Sequence, residues 1–152
     1  MNENNDKKVV VEGTFDCFHD GHKHLLQKAN SLGSVKIALT TDKMAQRIKG
    51  REVDSYTLRK ENLCNFLVNP EIEAIEDPVS FLLYEQFDYM IVSPKTKFRA
   101  EKINISRKIN NEKEIKIVEV NTLLAEDGEP ISSARIREGE IDVAGKLIIN
   151  KK

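Results

Sequence analysis

This sequence of 152 residues has few cysteines, no long apolar run and no excess of positive or negative charge. The two cysteines, Cys17 and Cys64, show neither a metal-ligand spacing nor a disulfide-rich context, so we expect two reduced thiols. The 24 basic and 25 acidic side chains give a formal net charge of -1. This balance argues against nucleic acid as the main partner.

No stretch of the sequence approaches the roughly 20 apolar residues that span a bilayer. The first residues, MNENNDKK, are polar and lack the apolar core of a signal peptide. We therefore expect a cytoplasmic protein without a membrane partner. Neither repeats nor a linker divide the chain, so we also expect one domain over residues 1–152, with residues 1–7 and 146–152 as loose tails.

Short apolar, β-branched runs alternate along the chain with segments of helical periodicity. The runs that predict strands are KVVVE (8–12), VKIALT (35–40), EIEAI (71–75), YMIVS (89–93) and EIKIVEV (114–120). The helices are expected after N-caps at Asp20 and Asp42, over 55–69, 81–87 and 98–110, and from Ser132. This order predicts an α/β protein with a Rossmann-like, doubly wound parallel sheet of about five strands.

The stretch EGTFDCFHDGHKHLL (12–26) holds all three histidines of the chain. Gly13 ends the first strand, and its missing Cβ would let a ligand approach the backbone there. Thr14 then offers a hydroxyl donor. His22 falls in the first helical turn, where free N–H groups and the positive end of the helix dipole favour anions, and His19 lies just before it. The stretch therefore predicts a phosphate site beyond the carboxyl end of the strand.

Two other interpretations of the histidines stay open. His19 and His22 could be metal ligands, although no nearby Cys, Asp or Glu completes an obvious tetrahedral set. Ordinary helix capping and surface positions would also account for them without any ligand. His24, one step past the motif, fits that second description.

The residues GTFDCFHDGH resemble the signature of the nucleotidyltransferase superfamily with the HxGH motif, which runs here from His19 to His22. ISSARIR (131–137) resembles its second signature. The chain lacks both the Lys-Met-Ser-Lys-Ser loop and the length of aminoacyl-tRNA synthetases, which share HxGH. Its other segments are similar to the phosphopantetheine adenylyltransferase family of archaea and eukaryotes, among them TTDKMA (40–45), IVSPKT (91–96), AEKIN (100–104) and AEDGEPISSARIREGEID (125–142).

This resemblance implies transfer of the adenylyl group of ATP to 4'-phosphopantetheine by direct in-line attack, which yields dephospho-coenzyme A and pyrophosphate in coenzyme A biosynthesis. It implies Mg2+ bound with ATP, held largely by nucleotide and water, and it allows a homo-oligomer. The alternatives are a cytidylyltransferase for a phospho-alcohol, an FMN adenylyltransferase, or a nucleotide-sensing module without turnover.

The resemblance also implies roles for individual residues. Thr14, His22 and Lys49 would be catalytic: Thr14 bridges the two reacting phosphates, His22 stabilises the transition state, and Lys49 neutralises phosphate oxygens. Without the resemblance, KGR (49–51) would be interpreted as a solvated turn. No metal ligand is expected. The implied ATP-binding residues are Gly13, Thr14, His19, Gly21, His22, Ser93, Glu101, Ser132, Ser133 and Arg135, and the implied acceptor-binding residues are Thr14, Phe15, Lys49 and Arg51.

Several of these positions also have plainer explanations. Ser132 could simply be an N-cap, and Glu101, Asn104 and Arg107 could all be solvated on one face of their helix. The chain also departs from the family pattern at Ala134, where a hydroxyl is common, and at 79–81, so the acceptor side is expected to differ in shape.

Overall fold

The computed structural model describes residues 7–149 and contains one five-stranded, all-parallel sheet in the order β3-β2-β1-β4-β5. β1 is central, and Val11 lies opposite Ile37 of β2 and Ile91 of β4. The predicted α/β, doubly wound sheet is thus confirmed. The strands are β1 (Lys8–Gly13), β2 (Ser34–Thr40), β3 (Glu71–Ile75), β4 (Tyr89–Val92) and β5 (Lys116–Glu119).

Six helices connect the strands within the described residues or follow them. They are α1 (Asp20–Leu32), α2 (Asp42–Lys49), α3 (Tyr56–Phe66), α4 (Pro78–Tyr84), α5 (Lys97–Ile109) and α6 (Ser133–Arg137). None of these helices is long and apolar enough to cross a membrane.

Both faces of the central strand are covered by helices, which explains its unbroken apolar sequence. Val9 and Val11 pack on one face against Leu26 of α1 and Leu63 of α3. Val10 packs on the other face with a second cluster that includes Ile103 of α5. All three valines are fully buried. In this central strand the polar side chains are therefore confined to its two ends, at Lys8 and Glu12.

Two predicted helix caps are wrong by one residue. His19 caps α1, because its Nδ1 accepts the N–H groups of Gly21 and His22 at 3.1 and 3.3 Å. Thr41 caps α2, because its hydroxyl accepts the N–H of Met44 at 3.2 Å. Asp20 and Asp42 are instead the first residues of these helices, where a carboxylate still favours the helix dipole.

Other boundaries also differ from the predictions. α3 ends at Phe66 rather than Asn69, which has a positive φ of 47°. α4 covers 78–84 rather than 81–87, because the Asp77 side chain accepts the N–H of Val79 and sets an earlier start.

The predicted loose tails fall only partly within the described residues, since residues 1–6 and 150–152 lie outside them. The segment from Lys146 is not loose at its start. The N–H of Ile148 donates to the carbonyl of Glu140 at 3.0 Å, and that of Lys146 donates to the Asp142 carboxylate at 2.9 Å. These bonds fold the segment back onto the chain just after α6.

Candidate active site

A cavity of about 270 Å3 opens at the carboxyl ends of β1 and β4. The strand order changes direction between these two strands, which is where doubly wound sheets bind ligands. Thr14 follows β1, Thr40 ends β2, Ser93 follows β4 and Asn121 follows β5, and all four line the cavity. The sheet thus gathers polar residues from four strand ends around one space.

Most of the site residues named from the sequence meet in this cavity, but three do not. Arg51, Glu101 and Arg135 are described residues that are absent from its wall, and Glu101 is exposed on α5. Those that line it are Gly13, Thr14, Phe15, His19, Gly21, His22, Lys49, Ser93, Ser132 and Ser133.

His19 and His22 form a reciprocal cap at the start of α1. Besides the two N–H groups held by His19, the Nδ1 of His22 accepts the N–H of His19 at 3.2 Å. The two rings stack with their centroids 3.6 Å apart. The capping interpretation of His19 is therefore correct, and it does not exclude a binding role because both rings also line the cavity.

This geometry fixes the protonation of both imidazoles. A nitrogen that accepts an N–H carries no proton, so each neutral ring must carry its proton on Nε2 and can donate from there. Burial lowers the pKa of His19 to about 4. Burial, with the neighbouring His19 and the charge of Lys49, lowers the pKa of His22 well below its usual value. Both side chains are thus neutral donors at pH 7.

The first-turn N–H groups of α1 are not free, contrary to the expectation from the sequence. The Asp20 N–H donates to the carbonyl of Val143 at 2.9 Å, and the Lys23 N–H donates to that of His19. His19 takes the two between them. An anion in the cavity therefore meets imidazole N–H groups rather than the helix backbone.

Glycines shape the site by making room for rings. A Cβ on Gly21 would lie 2.9 Å from Cε1 of His19, so the capping ring needs this glycine. A Cβ on Gly13 would lie 2.8 Å from Cε2 of Phe15. The buried Phe15 ring, rather than a ligand, therefore occupies the space beside Gly13. Phe15 itself has a positive φ of 55°.

Cations surround the cavity more fully than the sequence predicted. The side chain of Lys49, at the end of α2, makes no ion pair or hydrogen bond with any described residue, and burial is the main cause that lowers its pKa. Lys95 and Arg99 also line the cavity. Neither was named as a site residue from the sequence, although Lys95 lies in the IVSPKT segment (91–96) that carries part of the resemblance. Their position just after the apolar strand β4 was the available signal. Arg99 pairs with Glu12 at 2.7 Å, and both side chains are part-buried. His24 is exposed, as the sequence predicted, and it also lies at the cavity wall.

Arg51 belongs to an ion-pair network beside the cavity. Its Nη1 lies 2.9 Å from Asp16, and Arg137 donates to both oxygens of the same carboxylate. Burial raises the pKa of Asp16, but the bonds from Arg137, the Asp54 N–H and Arg51 outweigh it and hold the pKa far below its usual value. Arg51 also donates to the Ser133 hydroxyl at 3.0 Å. The network joins the two sequence motifs.

The second motif forms a short helix whose hydroxyls already have partners. Ser132 caps α6 by accepting the Arg135 N–H at 3.2 Å. Arg135 turns away from the cavity and pairs with Asp127 and Glu140. In α5, Arg107 is fully buried rather than solvated, and Asn104 donates to the carbonyl of Ile115. Of the second motif, Ile131, Ser132 and Ser133 line the cavity.

The carboxylates near the cavity are poor metal ligands. Among the described residues that line it, Glu12 and Asp16 are the acidic ones, and each is paired with arginine. Asp16, Cys17 and Asp54 lie close enough together to hold an ion, but Arg51 and Arg137 already neutralise Asp16. A divalent cation there would be repelled by two guanidinium groups.

Residues 10–139 match the cytidylyltransferase-like family model. The chain is 42% identical over 150 residues to the phosphopantetheine adenylyltransferase of Methanosarcina mazei, an alignment that covers 92% of this chain and 96% of that one. The chain belongs to this cytidylyltransferase-like family. It is also 41% identical to the phosphopantetheine adenylyltransferase of Archaeoglobus fulgidus, over 93% of this chain and 99% of the other. The resemblance inferred from the two motifs is thereby confirmed.

Solved structures of other proteins share the fold of this chain. A crystal structure of an Archaeoglobus fulgidus protein described as of unknown function superimposes with a TM-score of 0.71 at 34% identity, covering 82% of this chain and 99% of that one. Pantothenate synthetase of Thermus thermophilus, at 14% identity and a TM-score of 0.63, covers 86% of this chain and 61% of its own length. The second likeness concerns the fold alone.

Proposed function

We propose that this protein transfers the adenylyl group of ATP to 4'-phosphopantetheine, releasing pyrophosphate and forming dephospho-coenzyme A. The observation that carries the proposal is the cavity at the carboxyl ends of β1 and β4, where the strand order changes direction. It brings Thr14, His19, His22 and Lys49 together in a chain 41–43% identical to archaeal proteins named for this activity. Free thiols at Cys17 and Cys64 are compatible with the proposed cytoplasmic location.

The reaction is an in-line displacement at phosphorus. A phosphate oxygen of the acceptor forms a bond to the α-phosphorus of ATP, and the bond from that phosphorus to the bridging oxygen breaks. Pyrophosphate leaves with the electron pair, so no covalent enzyme intermediate forms. Such a step needs the protein mainly for positioning and for groups that meet developing negative charge.

The cavity residues supply those groups. His19 and His22 would donate from Nε2 to phosphate oxygens, and the Lys49 ammonium would lie between acceptor and α-phosphate. Neutral imidazoles cost less to bury than imidazolium ions, which is consistent with their low pKa values. Lys95 adds positive charge on the β4 side of the cavity, where Arg99 is paired with Glu12. Ser93, Ser132 and Ser133 would contact the nucleotide, and Phe15 the acceptor.

Mg2+ would accompany the ATP phosphates. Because Glu12 and Asp16 are both paired with arginine, we assign no protein carboxylate to this ion. Nucleotide oxygens and water would hold it, in keeping with its tendency to retain waters. The ion would neutralise phosphate charge. A homo-oligomer also stays part of the proposal, since Phe98, Ile105 and Ile109 leave exposed apolar side chains on α5.

The first experiment is pyrophosphate release by the purified protein with ATP, Mg2+ and 4'-phosphopantetheine, alongside ethanolamine phosphate, glycerol 3-phosphate and FMN, with CTP as the other nucleotide. We expect release only with ATP and phosphopantetheine, together with dephospho-coenzyme A. Release with another pair would overturn the substrate. ATP binding without turnover on any acceptor would favour a nucleotide-sensing module.

Two variants connect that activity to the cavity. His22→Ala should lower kcat by roughly a hundredfold or more, as loss of a transition-state donor does, with a smaller effect on the dissociation constant of ATP. Glu101→Ala should retain wild-type kcat and KM, because Glu101 is exposed outside the cavity. Equal losses of binding and rate in His22→Ala would make it a ground-state phosphate ligand instead.

A further inference from the structure

A chain of buried side chains leads from the protein interior to the hydroxyl of Thr14. Arg59 is fully buried in α3, and Thr40 is 1% exposed at the end of β2. Arg59 Nη1 lies 3.4 Å from the Thr40 hydroxyl oxygen. That hydroxyl in turn donates to the hydroxyl oxygen of Thr14 at 3.0 Å. Thr14 lines the cavity, so the chain ends at the proposed reaction site.

The direction of these bonds determines what Thr14 can do. A guanidinium only donates, so the Thr40 oxygen accepts a hydrogen bond from Arg59. The Thr40 hydroxyl in turn donates its hydrogen to Thr14. Thr14 therefore accepts inside the protein, and its own proton remains for a group in the cavity. A hydroxyl without this partner could rotate and offer a lone pair to a phosphate, which would be repulsive.

Arg59 also fixes the backbone around Thr14. Its Nη1 donates to the carbonyls of Thr14 and Thr40 at 3.0 and 2.8 Å, and its Nε donates to the carbonyl of Asp54 at 2.8 Å. Its Nη2 pairs with Asp42 at 3.0 Å. One side chain thus joins the ends of β1 and β2 to the loop that carries Asp54.

We propose that Thr40 and Arg59 are positioning residues that hold the Thr14 hydroxyl as a hydrogen-bond donor toward the reacting phosphates. Neither residue needs to touch a substrate, because both act through Thr14. The inference rests on the proposed adenylyl transfer and deepens it. The helical pattern of the sequence gives no sign that Arg59 is buried, so the role follows from the tertiary contacts.

Thr40→Val and Thr40→Ser test the hydroxyl. Thr40→Val keeps the β-branched shape and removes the donor, so kcat should fall roughly tenfold, as expected for one lost hydrogen bond in the transition state. The dissociation constant of ATP, measured by calorimetry without acceptor, should change much less. Thr40→Ser should restore most of kcat. In a Thr14→Val background, Thr40→Val should cause no further loss, because its partner is already gone.

Arg107 supplies a matched control for Arg59. It is also fully buried, and its Nη1 donates to the carbonyls of Leu82, Leu83 and Glu85, away from the cavity. Arg59→Lys and Arg107→Lys should both lower the unfolding midpoint. Only Arg59→Lys should lower the kcat of the folded fraction, by roughly tenfold.

The outcomes separate this inference from the proposed function. Wild-type protein that releases no pyrophosphate from ATP and phosphopantetheine would overturn both. An active wild type with wild-type kcat in Thr40→Val, or with equal kcat losses in the two lysine variants, would overturn only the positioning role. If Thr40→Val does not fold, the lysine pair and Thr40→Ser still decide, since a serine variant that is as inactive as Thr14→Val would also contradict it.

Discussion

At the residue scale, the central feature is an imidazole that serves as a helix cap. Ser, Thr, Asp and Asn are the usual N-caps, and on that basis the sequence favours Asp20. His19 takes the position because its Nδ1 reaches two N–H groups, and the same residue lines the cavity. The same residue therefore fixes the helix start and presents a donor to a ligand.

Gly21→Ala tests this coupling between cap and site. Alanine is favoured over glycine inside helices by about 1 kcal/mol, so propensity alone predicts a more stable protein. The added Cβ would instead lie 2.9 Å from the His19 ring, and the ring must move. We expect kcat/KM for adenylyl transfer to fall at least tenfold, measured together with the midpoint of thermal unfolding. A more stable and fully active variant would show that the ring position is not needed.

At the element scale, the short helix α6 is held by ion pairs in addition to the packing of Ile136 against an apolar cluster. It has five residues, none of them buried. Arg137 of α6 and Arg51 beyond α2 both pair with Asp16 of the first motif. The sequence predicts the start of α6 at Ser132, but it places Arg51 at the acceptor. Nothing in the local pattern of residues 49–51 indicates a partner 35 positions earlier.

Asp16→Asn should remove the charge that holds α6. Breaking a buried ion pair on one side costs roughly 3 kcal/mol, and Asp16 is 1% exposed. We expect a loss of that order in the free energy of unfolding, measured with urea. Asp127→Asn, which breaks the Arg135 pair at the surface, should cost far less. Similar losses in both variants would mean that the Asp16 network contributes no more than an exposed pair.

At the scale of the whole molecule, stability should depend on pH through the buried histidines. The folded protein keeps His19 neutral down to a pKa of about 4, against 6.5 for the exposed group. Between these values the unfolded chain binds a proton that the folded chain does not. The free energy of unfolding therefore falls as the pH is lowered from 6.5 to 4, by about 3 kcal/mol for this residue.

His19→Asn provides the comparison for that measurement. Asparagine is a good N-cap, so stability at pH 7 should be largely retained while one titrating group is removed. Urea unfolding of both proteins at several pH values between 4 and 7 should show a weaker pH dependence in the variant. If the free energy of unfolding has the same pH dependence in both proteins, His19 has the same pKa in the folded and the unfolded chain. Adenylyl transfer should be lost in the variant, since the Nε2 donor is gone.

The sequence by itself determined the α/β class, the order of strands and helices, and the family, because periodicity and contiguous motifs are local properties. The register of β1 against β2 and β4, and the meeting of Thr14, Lys49 and Ser132 around one cavity, were decided only by the tertiary structure. The same holds for buried Arg59, whose hydrogen bonds join residues up to 45 positions apart. Partners at that distance leave no periodic trace in a sequence, because packing alone brings them together.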